Sequence, residues 1–210
     1  MGSPRILPLE LMPLPEVCRE VAAVLDHGGI VALPTDTIYG LSCRADKPEA
    51  LARIQAIKGR DIHKGLILLI DSPGDVLHLV REVPAAAIEL MDRYWPGPLT
   101  LLFAGRPTLA PQVVGEEGTV AIRCPGNAFL QTLLRSVGAP VTSTSANYAG
   151  QPPLTTPLEI AAAFGDQIDL IVDGGAPQHT EASTIVDVSQ HAPRLVRVGE
   201  LIIDQLVLDT

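Results

Sequence analysis

Several short polar segments of this sequence contain the residue types that bind anions or activate a substrate. The segment 58–64 places Lys58, Arg60 and Lys64 within seven residues of an otherwise acidic chain. Three permanent cations at this spacing suit a polyphosphate, because each phosphate charge needs a donor or a counter-ion. The alternative is a solvated loop whose cations complement the end of the preceding helix.

Two further segments are rich in small hydrogen-bonding side chains. The segment 142–147 (TSTSAN) carries five of them, which suit phosphate oxygens, ribose or an amino acid, although a turn or a helix cap has the same composition. The segment 34–41 (PTDTIYGL) follows an apolar run, and the carboxyl end of a strand is a common place for a ligand. The same residues are also typical of a tight turn.

Two arginines interrupt apolar runs, Arg123 in TVAIRC and Arg197 in LVRV. A charge within an apolar strand is costly unless it is paired or faces a cavity. If both point into one cleft, they give an acidic protein a cationic pocket for an anion. For the segment 95–100 (WPGPLT), in contrast, a packing corner around Trp95 is the favoured interpretation.

The composition excludes several classes of protein. The 210 residues include 15 Lys and Arg against 24 Asp and Glu, and a net charge of −9 argues against a general nucleic-acid-coating protein. The cysteines, Cys18, Cys43 and Cys124, show no CxxC spacing, so they predict buried side chains rather than a disulfide framework or a zinc finger. The sequence contains no P-loop or Rossmann fingerprint, and its histidines show no metal-ligand spacing.

The apolar pattern predicts helices that alternate with short buried strands. Helices are expected over 16–27, 46–59, 72–80, 84–94, 127–137 and 156–165, and strands over 30–33, 66–70, 99–103, 120–122, 168–172, 184–188 and 195–198. This alternation predicts a single α/β domain with a mixed sheet. Neither a signal peptide nor a membrane helix is expected, and the predicted compartment is the cytoplasm.

The order and spacing of six motifs resemble a known family. The sequence reads PTDTIYGL, KGR with a following Lys, WPGPLT, TVAIR, STSAN and STIVD, as in the YrdC-like threonylcarbamoyl-AMP synthases. The resemblance covers about residues 14–200 and is to the short, single-domain form, with an N-terminal segment 1–13 and a C-terminal tail 201–210. It implies a twisted, open, mixed α/β sheet flanked by helices, with a large concave cavity.

The resemblance also implies a reaction and its partners. L-Threonine, bicarbonate or CO₂, and ATP would give threonylcarbamoyl-AMP and pyrophosphate, with Mg²⁺ bound to ATP and no dedicated metal site on the protein. The product would pass to a tRNA threonylcarbamoyl transferase complex that modifies adenosine next to the anticodon. The expected partners include tRNA through a weak contact at most, and no membrane.

The motifs assign roles to individual residues by resemblance. Threonine would be bound by Thr37, Arg123, Ser143 and Ser183. The nucleotide would be bound by Arg60, Lys64, Thr119, Ser145, Asn147 and Arg197. Lys58 and Arg60 would act in catalysis as cations near the phosphates. Two positions depart from the family pattern: Asp61 stands where many relatives have Pro, and Leu69 stands where some longer relatives have a His that touches threonine.

Two other functions remain open on the sequence alone. One is an RNA-binding module of the same fold for tRNA or double-stranded RNA, although the acidic charge and the 3% aromatic content disfavour it. The other is a paralogue that makes a different acyl adenylate. No general base is evident; Asp36 is a candidate, and a solvated turn residue is the alternative.

Overall fold

The fold is built on a long mixed sheet, seen in a computed structural model that describes residues 4–59, 65–177, 181–190 and 192–203. The helices are α1 (Leu14–Asp26), α2 (Pro48–Lys58), α3 (Ala85–Tyr94), α4 (Ala128–Val137) and α5 (Pro157–Phe164). The strands are β1 (Arg5–Pro8), β2 (Val31–Leu33), β3 (Gly40–Ser42), β4 (Ile67–Leu69), β5 (Leu99–Ala104), β6 (Thr119–Arg123), β7 (Val141–Ser145), β8 (Leu170–Asp173), β9 (Thr184–Asp187) and β10 (Arg194–Arg197).

The helices begin and end where the sequence places caps. Asn127 accepts a hydrogen bond from the Leu130 N–H at 3.1 Å at the start of α4, and Gly138 ends that helix in the left-handed conformation. Thr156 and Glu159 form a reciprocal capping box at the start of α5. The helix expected over 72–80 is wrong in type: Pro73–His78 is a 3₁₀ helix, although the capping box at Ser72 is present.

The strands join in the order β1-β8-β2-β3-β7-β4-β6-β5-β9-β10, with parallel and antiparallel pairs. The predicted open, mixed α/β sheet is therefore confirmed. Three strands, β1, β3 and β7, were not predicted. Strand β3 begins at the end of the polar segment 34–41, and β7 overlaps the polar segment 142–147. Both form because each pairs on both edges in the middle of the sheet. Strand β1 lies in the predicted N-terminal segment 1–13 and pairs with β8; the domain boundaries at 14 and 200 stay a prediction.

The two faces of the sheet are covered unequally. On one face, helices α2, α3 and α5 pack on residues such as Leu68, Leu101 and Ile122. On the other face, α1 and α4 pack over one end of the sheet, on residues such as Val31, Leu69 and Val141. At the opposite end, that same face of β6, β9 and β10 forms the floor of a cavity. The open half of the sheet is therefore the place where a ligand can reach the strand side chains.

Several smaller expectations can be compared with this fold. The three cysteines are buried and free, and burial raises the pKa of Cys43 and of Cys124 to about 11. Trp95 is buried and donates its indole N–H to the Leu99 carbonyl at 2.7 Å, which confirms the packing corner. Among the described residues, no helix combines the length and the apolar character needed to cross a membrane.

Candidate active site

The cavity has a volume of about 930 Å³ and collects side chains from distant parts of the chain. The predicted site residues that line it are Thr37, Thr119, Arg123, Ser143, Ser145, Ser183 and Arg197. Arg123 and Arg197 both line this cavity, which is the condition that the sequence set for an anion pocket. The assignment of each residue to threonine or to the nucleotide stays a prediction.

The alternation of side chains along β6 explains why the strand can serve both the core and the cavity. Thr119, Ala121 and Arg123 face the cavity, whereas Val120 and Ile122 point into the core on the other face. Successive side chains of a strand point to opposite faces, so a five-residue strand delivers three of them to one side. The motif TVAIR therefore supplies side chains both to the hydrophobic core and to the cavity.

Arg123 is the most deeply buried cation of the cavity, with 4% of the residue exposed. Its guanidinium forms an ion pair with Asp36 and donates a hydrogen bond to the Thr37 hydroxyl at 3.2 Å. The Nε–H is buried and has no partner among the residues that the structure describes. Burial, together with the charge of Arg197, lowers the pKa of Arg123 to about 10, so the side chain is still a cation at neutral pH.

Asp36, which the sequence offered as a candidate base, is the partner of this arginine. One carboxylate oxygen pairs with Arg123, and the other accepts the Gly126 N–H at 3.1 Å. Both oxygens are therefore engaged. Among the described residues, Thr35 and Thr37 line the cavity, and Asp36 between them does not. Only 16% of the Asp36 side chain is exposed, so it is not the solvated turn residue that the sequence left as the alternative. The hypothesis that Asp36 is a general base stays a prediction.

Arg197 reaches the cavity from the exposed edge strand β10. A bulge between Leu195 and Arg197 interrupts the pairing with β9, and as a result both Val196 and Arg197 line the cavity. The guanidinium donates to the Ser183 carbonyl at 2.7 and 3.0 Å, and the Ser183 hydroxyl lies 2.8 Å from that of Thr100. Partial burial lowers the pKa of Arg197.

Lys58, at the end of α2, is bound to the end of β7. Its ammonium donates to the Ser145 carbonyl at 2.8 Å, to the Asn147 carbonyl at 2.7 Å and to the Asn147 side-chain oxygen at 2.5 Å. The Ser145 hydroxyl donates to the same side-chain oxygen at 2.6 Å. An ammonium has three N–H donors, so these protein oxygens already occupy them. Lys58 and Asn147 thus lie next to the cavity, and the structure shows them fixing Ser145.

Two predicted residues of the cationic segment, Arg60 and Lys64, lie outside the described residues, as does Asp61. Their predicted roles at the phosphates stay predictions. The described residue nearest to them on the C-terminal side, Gly65, lines the cavity. Leu69 packs beneath α1 and α4 and is 1% exposed, so the apolar side chain at this departure from the family pattern belongs to the core.

The structure adds residues that sequence reasoning missed. Glu116, Glu117, Asp187 and Arg194 also line the cavity. Asp187 accepts hydrogen bonds from Ser189 and pairs with Arg194 at 3.2 Å, and these donors lower its pKa below its usual value. Asp187 is the last residue of the motif STIVD, and its place in that motif could have pointed to it as a site residue. Its carboxylate ties β9 to β10 and so helps to place Arg197.

The arrangement suits an anionic ligand that also needs many neutral donors. The guanidinium groups of Arg123 and Arg197 and the hydroxyls of Thr37, Ser143 and Ser183 surround a common space, whereas the third arginine of the described lining, Arg194, is paired with Asp187. A partly enclosed cavity strengthens such charge interactions, because water screens them less there. The geometry supports binding and charge stabilisation of a substrate with a carboxylate or phosphate groups.

Comparison with known proteins agrees with this site. A family model for Sua5, YciO and YrdC proteins, described as telomere recombination, matches residues 23–199. The chain is 34% identical over 188 residues to a protein of Pyrococcus abyssi (strain GE5 / Orsay) named threonylcarbamoyl-AMP synthase. The matched region is 90% of this chain and 55% of that protein, so the chain spans just over half the length of this relative.

Solved structures show the same similarity. The structure of P. abyssi Sua5 complexed with L-threonine has a TM-score of 0.88 at 32% identity, and the match covers 96% of this chain and 59% of that chain. The E. coli YciO structure has a TM-score of 0.85 at 25% identity, and the match covers 99% of this chain and 100% of that chain. The cavity therefore lies in a fold shared with a threonine-binding protein.

Proposed function

Because this chain belongs to the Sua5/YciO/YrdC family, we propose that it is a threonylcarbamoyl-AMP synthase that uses L-threonine, bicarbonate and ATP. One observation carries the proposal: the fold places Arg123 and Arg197, with the hydroxyls of Thr37, Ser143 and Ser183, around one cavity. The name of the P. abyssi relative and the threonine in the Sua5 structure support it.

The reaction joins two anions, and this defines what the site must supply. The threonine amine adds to bicarbonate with loss of water, or to CO₂ with loss of a proton, and an N-carboxylate forms. An oxygen of that carboxylate attacks the α-phosphorus of ATP, and pyrophosphate leaves with the electrons of the broken P–O bond. Cations relieve the repulsion between the partners, and alignment of the two can lower the barrier by about 7–11 kcal/mol.

Different residues among those described bind the threonine and the nucleotide. Arg123 binds the threonine carboxylate, and the hydroxyls of Thr37, Ser143 and Ser183 orient the rest of the amino acid. Thr119, Ser145 and Arg197 bind the nucleotide. Lys58 and Asn147 hold the Ser145 hydroxyl in place, since their mutual hydrogen bonds fix the end of β7. The protein thus acts by positioning and charge stabilisation.

We propose that Mg²⁺ enters the cavity bound to the phosphates of ATP. Phosphate oxygens, waters and one or two carboxylates are its usual ligands. The exposed carboxylates of Glu116 and Glu117 line the cavity beside Thr119 and fit such a supporting role. The metal would supply charge neutralisation at the leaving pyrophosphate.

The later steps follow from the same proposal. The product is a reactive acyl adenylate, and a separate transferase complex would consume it on tRNA in the cytoplasm. A direct contact of this chain with tRNA would be weak, because the net charge of −9 opposes binding to a polyanion.

Pyrophosphate release from ATP tests the proposal. We expect release that requires both L-threonine and bicarbonate. Arg197→Gln should lower kcat/KM by about 30-fold or more, because a partly buried cation that meets an anion is lost. The matched control is Arg135→Gln, which removes an exposed arginine paired with Asp71 and should leave the rate unchanged. Release without threonine, or equal rates for both variants, would contradict the proposal.

A further inference from the structure

We propose that Asp36 is a positioning residue that fixes the Arg123 guanidinium for the carboxylate of the amino acid substrate; this inference rests on the proposed function. Asp36 pairs with Arg123 and does not line the cavity, whereas Arg123 does. Asp36 therefore acts on the substrate through Arg123, not by touching it.

The geometry of the pair shows how the guanidinium is held. One terminal nitrogen of Arg123 binds Asp36, and the other donates to the Thr37 hydroxyl at 3.2 Å. Asp36 is itself held, because its second oxygen accepts the Gly126 N–H at 3.1 Å. Residues from the loop after β2, from β6 and from the turn before α4 thus form one linked unit. The planar guanidinium has little freedom to rotate within it.

Arg123 keeps further donors for the ligand. A guanidinium has five N–H donors, and Asp36 and Thr37 accept two of them. Among the described residues, the Nε–H is buried without a partner, in a residue of which only 4% is exposed. A buried donor without an acceptor is costly, and native proteins rarely keep one without a reason. The ion pair with Asp36 helps to offset this cost, and the second N–H of each terminal nitrogen is left for a carboxylate oxygen of the amino acid. Asp36 and Thr37 thereby decide which N–H groups of Arg123 are left for the substrate.

The negative charge of Asp36 also helps to hold the Arg123 guanidinium in place. Arg123 and Arg197 share the cavity, and their mutual repulsion adds to the cost of burying Arg123. The Asp36 carboxylate offsets that cost before any substrate is bound. Without it, the guanidinium would be free to turn toward other acceptors or toward water, and its terminal N–H groups would lose their fixed direction.

The alternative is that Asp36 competes with the substrate for Arg123. The threonine carboxylate would then have to displace the Asp36 carboxylate, and the removal of Asp36 would strengthen threonine binding. The direction of the change in KM separates the two roles. Positioning predicts that KM for threonine rises when Asp36 is neutralised, whereas competition predicts that it falls.

The test compares Asp36→Asn with a matched control in the pyrophosphate assay. Asparagine keeps the size and can still accept the Gly126 N–H, but it removes the charge. We expect KM for threonine to rise about tenfold or more, with KM for ATP changed less than about twofold. The control Asp46→Asn removes a carboxylate from Arg44; neither residue of this pair is among the described residues that line the cavity, so both constants should stay unchanged.

Asp36→Glu serves as the conservative variant and as the safeguard against poor folding. It restores the charge with one additional methylene, so its KM for threonine should lie between those of Asp36→Asn and the unaltered chain. An unchanged or lowered KM for threonine in Asp36→Asn, or an equal rise in both KM values, would overturn the inference alone. An unaltered chain that releases no threonine-dependent pyrophosphate would overturn the proposed function, and this inference with it.

Discussion

At the level of single residues, the cations near the cavity differ in how much of their bonding capacity the protein already uses. Arg123 keeps a buried Nε–H that no group in the described part of the chain accepts. Lys58, in contrast, directs its ammonium to three oxygens of Ser145 and Asn147. A cation that is already bonded in this way contributes through the residues it holds. The sequence could not distinguish these cases, because both are positive charges near polar motifs.

This difference predicts the behaviour of Lys58→Met, which keeps the length of the side chain and removes its ammonium. Several oxygens at the end of β7 lose their donor, and the free energy of unfolding should fall by about 1–3 kcal/mol. KM for ATP should rise, since Ser145 is no longer fixed. Thermal denaturation and steady-state kinetics measure the two effects. Lys47→Met, at the start of α2, is the control and should change neither; a stable Lys58→Met with full activity would refute the assignment.

At the level of elements, the position of β10 depends on a close approach between two chain segments. The Gly199 N–H donates to the Thr184 hydroxyl at 3.0 Å, and the Glu200 N–H donates to the Ala182 carbonyl at 2.9 Å. A Cβ atom at Gly199 would lie 2.1 Å from the Ala182 carbonyl oxygen. Only a residue without a side chain allows the segment after β10 to cross Ser183 so closely.

Gly199→Ala should therefore displace β10 and, with it, Arg197. We expect a loss of about 1–3 kcal/mol in the free energy of unfolding, as for other overpacked sites, together with a raised KM for ATP. Denaturant unfolding and kinetics provide the measurements. At Gly74, an added Cβ would lie 3.7 Å from the Ser72 hydroxyl, which is an ordinary contact, so Gly74→Ala is the control. Equal stability of the two variants would show that β10 tolerates the change.

At the level of the whole molecule, the net charge and the lining of the cavity have separate consequences. The net charge of −9 disfavours adhesion to polyanions. The described lining of the cavity balances three arginines against three carboxylates, and it places Arg123 and Arg197 beside small hydroxyl groups. The chain should therefore select small anions that fit the cavity over extended ones such as RNA. A ligand that binds the folded state and not the unfolded chain raises the melting temperature.

Thermal shifts with different amino acids identify the substrate. With ATP present, L-threonine at about 100 times its Kd should stabilise the chain by about 2.7 kcal/mol. For a chain of this size, that corresponds to a rise of about 5–11 °C in Tm. Serine and valine, each of which lacks one group of the threonine side chain, should give smaller shifts. A larger shift with another amino acid would favour the paralogue that makes a different acyl adenylate, and a shift with tRNA alone would favour the RNA-binding module.

The elements that sequence reasoning predicted correctly share a strong local signal. The strands expected over 30–33 and 66–70 correspond to β2 and β4, and their apolar runs show burial on both faces. The strands β3 and β7 carry no such signal, since Gly, Ser and Thr also suit turns. They are strands because neighbours on both sides satisfy their backbone, and this depends on residues far away in the chain.

By itself, the sequence determined the family, the alternation of helices and strands, and the residue types of the site, because motifs and hydrophobic periodicity are local properties. Only the tertiary structure decided that α1 and α4 leave half of one sheet face open, and that Arg123 meets Asp36 there. Such pairings join residues that lie far apart in the chain, and they depend on how the strands order themselves in the sheet.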